Sequence, residues 1–421
     1  MELPAQTVDN AKTTGSLQVV LLVFVPFASG FFLSYLFRSI NAVIAPQLIA
    51  EIGLSAGDLG LLTAAYFLAF ASFQLPLGIL LDRFGPRRVQ ACLLLFAALG
   101  GIFFAAGENR VALIAGRALI GLGFAGGLMA SFKAATLWFP RERWPLVNGC
   151  FLAVGGLGAT IATKPVEIFL GYTDWRSIFV ALSLITVYVS FLIILMVPHE
   201  PAHVTRLSLA DQLRALRGIY SDRFFWRLAP ITITTLATGL AVQGLWAGPW
   251  LRDVAGLDRG AVADHLFAIA LGMIAGMVGS GILADLLGRL GLTVNRVMGG
   301  GIVAFMLAQA AIVFQVDPTG IWVWVIFGFL SNMAVLAWPQ VSGHFPLHYA
   351  GAANTGLNFL MFSGAFAAQY GIGAIIDLWP TSPQGGYPDA AYASAFGTLL
   401  VIQVAAFLWF LVPAGITRED R

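Results

Sequence analysis

Charge is what this sequence most lacks. Asp, Glu, Lys and Arg make up 10% of its 421 residues, where soluble domains carry about 25%. Hydrophobic residues reach 59%, and single soluble cores stop growing at about 250–300 residues. A water-soluble fold therefore has nowhere to hide this much apolar surface, whereas a bilayer accepts it as a solvent would. Cysteine is almost absent: Cys92 and Cys150 both lie in apolar runs. They form neither a CxxC pair nor a disulfide framework, and read as small apolar residues. The five histidines, His199, His203, His265, His344 and His348, fall in loops or near the ends of apolar runs, with no HExxH among them. No GxSxG elbow or P-loop is present either. These absences argue against an enzyme, and no metal or cofactor is expected. A net charge of +2 without a basic block argues against a nucleic-acid partner. The polar opening, Met1 to Ser16, lacks the basic segment, short apolar core and cleavage site of a signal peptide.

What the sequence has in abundance is apolar runs of membrane length. About 20 residues are needed to cross the hydrocarbon. Such runs fall at about 17–47, 57–81, 89–107, 111–136, 146–170 and 176–197. After a polar stretch come six more, at about 227–249, 263–286, 296–315, 320–341, 353–377 and 391–413. The expectation is an all-α membrane protein of twelve spans: a six-helix bundle over 1–197, a linker over 198–225 and a second six-helix bundle over 226–421. Within the linker, Ser208 with Asp211 three residues on reads as a helix start. Leu209, Leu213 and Leu216 then recur at helical spacing, and the segment reads as an interfacial helix on the cytoplasmic leaflet, with tethering the two halves as its simplest role.

Lysines and arginines in the loops set the orientation. If both termini are cytoplasmic, that side carries Lys12, Arg83, Arg87, Arg88, Arg141, Arg143, Arg206, Arg214, Arg217, Arg223, Arg227, Arg289, Arg296, Arg418 and Arg421. The other side carries only Arg110, Arg176, Arg252 and Arg259. Fifteen against four favours cytoplasmic termini. Arginine's dominance over lysine and the lack of targeting segments point to a bacterial inner (plasma) membrane.

The two halves also repeat. Gly78-Ile-Leu-Leu-Asp82-Arg-Phe-Gly85-Pro-Arg87-Arg88 ends the second run, and Gly281-Ile-Leu-Ala-Asp285-Leu-Leu-Gly288-Arg289 ends the eighth, at one constant offset. With the six-plus-six pattern, these loops make the chain resemble the major facilitator superfamily over essentially its whole length. Arg117, Gly121 and Gly123 resemble that family's RxxxGxG signature of the fourth span. Trp138 to Arg143 resembles the loop that follows it, and Trp175-Arg176-Ser-Ile-Phe179 the entry to the sixth. The resemblance implies two pseudo-symmetric six-helix bundles, a solute site between them, and a monomer that works by alternating access. It also implies that the two repeated loops form a cytoplasmic gate. As residues alone they read either as that gate or as tight turns rich in positive charge.

Four basic residues fall inside spans, where a charge near the bilayer centre costs about 2.5–3.5 kcal/mol on insertion scales. Arg38 shares a helix face with Tyr35 and Asn41, and its forked guanidinium suits a carboxylate or phosphate. It reads as an anion contact or as a structural pair. Tyr35, Arg38 and Pro46 are spaced as in the first span of the organophosphate:phosphate antiporters and related organic-anion symporters, where the arginine helps to bind the anion. The seventh run lacks the second basic residue of the phosphate-ester antiporters, which favours a monoanion or a zwitterion. Lys164 and Glu167 flank Pro165 in the fifth run, either as a self-neutralising pair or with Glu167 as a proton acceptor. Arg117 reads as structural support or as part of proton coupling, and Lys133 as snorkelling to the interface. Gln243, Trp246 and Asn358 complete the candidate cavity lining with Arg38, Tyr35, Asn41 and Lys164.

The resulting expectation is a transporter that takes up a small organic anion and is coupled to protons. Export of amphipathic compounds and nitrate-type transport are the alternatives. The latter rests on Gly155-Gly156-Leu-Gly158, which is faintly similar to the glycine-rich signature of nitrate porters. A channel would show a filter motif or a charge ring, and none is visible. A membrane transceptor without flux is the non-transport alternative.

Overall fold

The computed structural model describes residues 16–199, 209–382 and 386–412. Among these residues there are twelve helices long and apolar enough to cross a membrane, and no strand. Lys12, His203, Arg206, Ser208, Arg418 and Arg421 lie outside the described residues.

Several spans are bent where the sequence supplies a reason. The first begins as Ser16–Val19, passes a π-type turn over Val20–Phe24, runs Val25–Ser39, pauses at Ile40, and continues as Asn41–Ile52 until Gly53 closes it in the left-handed conformation. Pro46 cannot donate to the Ala42 carbonyl, and that carbonyl faces Gly248 of the seventh span. The second and third spans form one continuous run, Ala56–Ala105, broken only at Gly85 (φ 76, ψ 162). Pro86, whose ring fixes φ and removes a donor, follows directly. The echo in the second half behaves differently. Arg289 stands where Pro86 does, so the eighth helix, Arg259–Arg289, runs through Gly288, and the turn falls at Gly291 (φ 85).

The fourth span is Arg110–Phe124 continued by Gly127–Trp138. The fifth is Trp144–Ile161, broken at Ala162 and Thr163 and resumed as Lys164–Leu170. The sixth is Trp175–Met196, with Asp174 capping its start. The seventh comprises Arg223–Ala241, a π-type turn over Val242–Trp246, and Ala247–Asp253. The ninth is Val294–Val313, the tenth Ile321–Ser331 extended through a 3₁₀ turn to Ala337–His344, the eleventh Leu347–Ile376 and the twelfth Asp389–Leu411.

Packing repeats between the halves. Gly121 lets the fourth span lie against the Tyr66 backbone of the second, and Gly272 and Gly276 let the eighth lie against Val325 and Phe329 of the tenth. Small residues at helix crossings are the expected solution where lipid offers no hydrophobic drive between helices.

The linker helix, Leu209–Tyr220, packs one face on the protein: Ala215, Leu216 and Ile219 are buried, Leu216 meets Gly356 of the eleventh span, and the Tyr220 hydroxyl donates to the Gly356 carbonyl at 3.1 Å.

Candidate functional site

Between the two halves lies a cavity of about 1170 Å³. It runs from the middle of the bundle to the end that carries the two repeated loops, here called the basic end, where Asp82, Lys133, Arg214 and Ser342 line it. At the opposite end the halves touch. Gly60 and Gly373 bring the second and eleventh spans together, and Trp246 fills the space beside them. Asp377, at the end of the eleventh span, accepts from Ser55 Oγ (2.8 Å), Ala56 N (3.0 Å) and Gly57 N (2.8 Å). A carboxylate on the free N–H groups of a helix start is favoured by both hydrogen bonding and the helix dipole. The Tyr387 hydroxyl donates to the same carboxylate at 2.6 Å. Burial and Asp377 together push the Tyr387 hydroxyl up to about 12. Two ion pairs also cross at this end, from fifth span to eighth: Lys164 with Asp264, and Glu167 with Arg259 at 2.5 Å. Lys164 and Glu167 therefore do not pair with each other. They lie in the last turns of the fifth span.

Four of the seven candidate substrate residues line the cavity: Tyr35, Arg38, Gln243 and Asn358. Arg38 is 8% exposed. Its guanidinium lies 3.8 Å over the Tyr35 ring, and its Nε has no hydrogen-bond partner. Among the described residues no carboxylate pairs with it. A buried charge without a partner is costly. Tyr35 is in turn held edge-on by Phe31 at 5.0 Å. Gln243 reaches across the halves to Ser39 Oγ at 3.4 Å. Asn358 donates to Gln74 Oε1 at 3.3 Å, also across the halves.

The other three lie outside the cavity lining in this conformation. Asn41 is fully buried and donates to Thr63 Oγ1 at 2.9 Å. Trp246 is buried in the closed end and donates to the Gln369 carbonyl at 3.0 Å. Lys164 belongs to the crossing ion pairs just described. Arg117, fully buried, donates to the Phe37 carbonyl at 2.8 Å and so braces the backbone next to Arg38. Lys133 does not snorkel: it pairs with Asp82 at 2.8 Å on the cavity wall.

Of the loop residues, Gly78 and Asp82 line the cavity. Arg87 donates to the Ile194 carbonyl within its own half, and Asp285 pairs with Arg289 one turn on at 2.7 Å. Arg88, Gly281 and Gly288 lie in the same two segments. The Trp175-Arg176 motif ties the sixth span to the end of the first, because Trp175 Nε1 and Arg176 Nη2 both donate to Glu51, each at 2.7 Å.

Sequence reasoning missed Gln74, Asn332 and Asp377. The signal for Gln74 was there, a glutamine within an apolar run beside Pro76. Asp377 sits at a span end, where an acidic residue is ordinary in sequence.

With the geometry in hand, similarity to known proteins is informative. The model of the Major Facilitator Superfamily matches residues 27–369. A Cupriavidus necator protein named "Probable sulfoacetate transporter SauU" is 25% identical over 352 residues, covering 77% of this chain and 81% of that protein. The Escherichia coli "Hexuronate transporter" is 30% identical over 184 residues, 42% of this chain and 41% of that one. A bacterial homologue of the human lysosomal transporter Spinster, solved facing inward and unoccupied, superposes with a TM-score of 0.75 at 15% identity, covering 94% of this chain and 97% of that one. The protein belongs to the major facilitator superfamily and is a multi-pass membrane transporter of twelve spans in two six-helix bundles.

Proposed function

We propose that this transporter takes up a small organic anion across a bacterial plasma membrane by alternating access, coupled to protons. The observation that carries the reading is Arg38, a buried cation on the cavity wall with no carboxylate partner among the described residues. The name of the C. necator relative, for sulfoacetate, and that of the E. coli relative, for hexuronate, support an anionic solute. In this reading the basic end is cytoplasmic and the conformation faces inward. Residues 1–197 and 226–421 are the two bodies that rock about the site, with 198–225 as their tether. Tyr35, Gln243 and Asn358 complete the site around Arg38. Asn41, Lys164 and Trp246 join it only if the closed end opens.

Opening the closed end must separate Glu167 from Arg259, because they belong to opposite halves. The freed carboxylate can then take a proton, so Glu167 is the proposed coupling residue, with Arg117 holding the first span in place. Closing the basic end falls to Gly78–Arg88 and Gly281–Arg289, whose described ion pairs are all made within one half in this open form.

The test is a thermal-shift panel of organic acids, amino acids, sugars and cations on the purified protein, beside Arg38→Gln. Saturation a hundredfold above Kd stabilises the folded state by about 2.7 kcal/mol. Stabilisation by anions alone, lost in Arg38→Gln, is expected. Equal stabilisation of both proteins by neutral or cationic ligands would make Arg38 structural and favour export of amphipathic compounds, a reading that the apolar cavity wall also suits.

A further inference from the structure

Among the described residues, four charged ones line the cavity: Arg38, Asp82, Lys133 and Arg214. They are not equivalent. Asp82 and Lys133 neutralise each other at 2.8 Å, and Arg214 sits on the linker helix at the mouth. The deep part of the cavity thus presents one cation, Arg38, and among the described residues no free carboxylate. The walls around it are Phe31, Phe70, Met273, Ile274, Met361 and Phe362. Phe70 and Phe362 meet at 4.2 Å and join the two halves. The polar groups nearby, Gln74, Gln243 and Asn358, are amides, which can hydrogen-bond a solute but cannot balance a charge.

From this distribution we infer that the occupant is a monoanion, with one carboxylate or sulfonate at Arg38 and an uncharged, largely apolar body among the aromatic and methionine side chains. The inference rests on the organic-anion reading above and narrows it. A second anionic group would be desolvated without a cation to meet it, and an ammonium group would find no free carboxylate. The volume leaves room for more than a two-carbon acid, since sites for drug-sized ligands span about 300–1,000 Å³. Methionine and phenylalanine surfaces reward a ring or a branched chain, with sulfur–aromatic and ring–ring contacts added to plain burial.

A matched series tests this on the full-length protein in detergent, with binding read by calorimetry. 3-Phenylpropionate is the reference. Benzylmalonate adds a second carboxylate, phenylalanine adds an ammonium at the same carbon, and propionate removes the ring. The reference is expected to bind at least about tenfold more tightly than each of the other three, because benzylmalonate and phenylalanine would bury an unpaired charge and propionate loses the apolar burial of the ring. Phe362→Ala should weaken 3-phenylpropionate severalfold and leave propionate unchanged. Arg38→Gln should weaken every anion by about 10- to 100-fold, with Arg38→Lys retaining part of the affinity. Size-exclusion profiles and unliganded melting temperatures confirm that each variant is folded.

If benzylmalonate, phenylalanine or sulfoacetate binds as tightly as the reference and still needs Arg38, the monoanion inference falls while the anion reading stands. If binding ignores Arg38→Gln, both fall. Failure of all four compounds to bind overturns the inference as well.

Discussion

The two ends of the bundle solve opposite problems with different chemistry. At the closed end, contacts between the halves are specific and polar: Asp377 on the Ser55–Gly57 helix start, Lys164 with Asp264, Glu167 with Arg259. At the basic end, the described ion pairs stay within a half, Asp82 with Lys133 and Asp285 with Arg289. A junction that must open and close is better built from hydrogen bonds and half-exposed ions than from interlocked side chains, because water can replace the former at modest cost. The basic end, while open, stores its charges in local pairs and loses little by having the other half away.

The sharpest way to break this contrast is to empty the centre on which both ends act. Arg38→Gln removes the charge that distinguishes the occupied from the empty cavity. Hydrogen bonds to charged groups are worth about 1.5–3 kcal/mol, so solute affinity should fall about 10- to 100-fold, read as uptake into proteoliposomes. Next in size is Asp377→Ala, which deprives four donors, three of them in the other half, of one acceptor at the closed end. It should shift the population toward opening there, seen as faster labelling of a cysteine placed at Ala56, which is buried in the closed end. Unchanged labelling would mean that the glycine contacts alone hold the closed end.

The crossing ion pairs should matter less for stability. Lys164 and Asp264 are each about half exposed, and such pairs contribute about 0–1 kcal/mol. Their exchange, Lys164→Asp with Asp264→Lys, should restore most of the transport lost in either single variant. Glu167→Gln is the informative companion: proton-driven accumulation should stop while solute exchange between equal pH continues. If accumulation persists, coupling lies elsewhere. The smallest effect is expected at Asp174, a cap rather than a gate. Its carboxyl is held below the usual carboxylate range by the Ser177 backbone N–H. Asp174→Ala should cost about 1 kcal/mol of stability. In the wild type that contribution is present above the ordinary carboxylate pKa and fades as pH falls through the lowered one, measurable as a melting shift confined to strongly acidic buffer.

Hydropathy, loop arginines and the repeated loops were enough to read the architecture, because in lipid every helix must satisfy its own backbone and therefore shows itself as an apolar run. Arg38 and Tyr35 were legible for the same reason: a charge in such a run needs a purpose. What could not be read was pairing across the halves. Lys164 and Glu167 are three residues apart and look like partners. The bend at Ala162 and Thr163 instead aims both at the eighth span, a choice that no local spacing reveals. Lys133 and Asp82 stand 51 residues apart, and neither position names the other. The seat of Leu216 was equally hidden, because Gly356, which receives it, has no side chain to advertise a groove.

If the cavity holds one anion at Arg38, as inferred above, that residue also makes the protein an electrical device. An empty carrier turns with one positive charge aboard, and a carrier holding a monoanion turns neutral. Moving a full elementary charge through the membrane is worth about 2.3 kcal/mol per 100 mV, and Arg38 crosses some fraction of that field. Voltage would then act on the return of the empty protein rather than on the loaded step, so a negative interior favours the cytoplasm-facing form whenever the site is vacant.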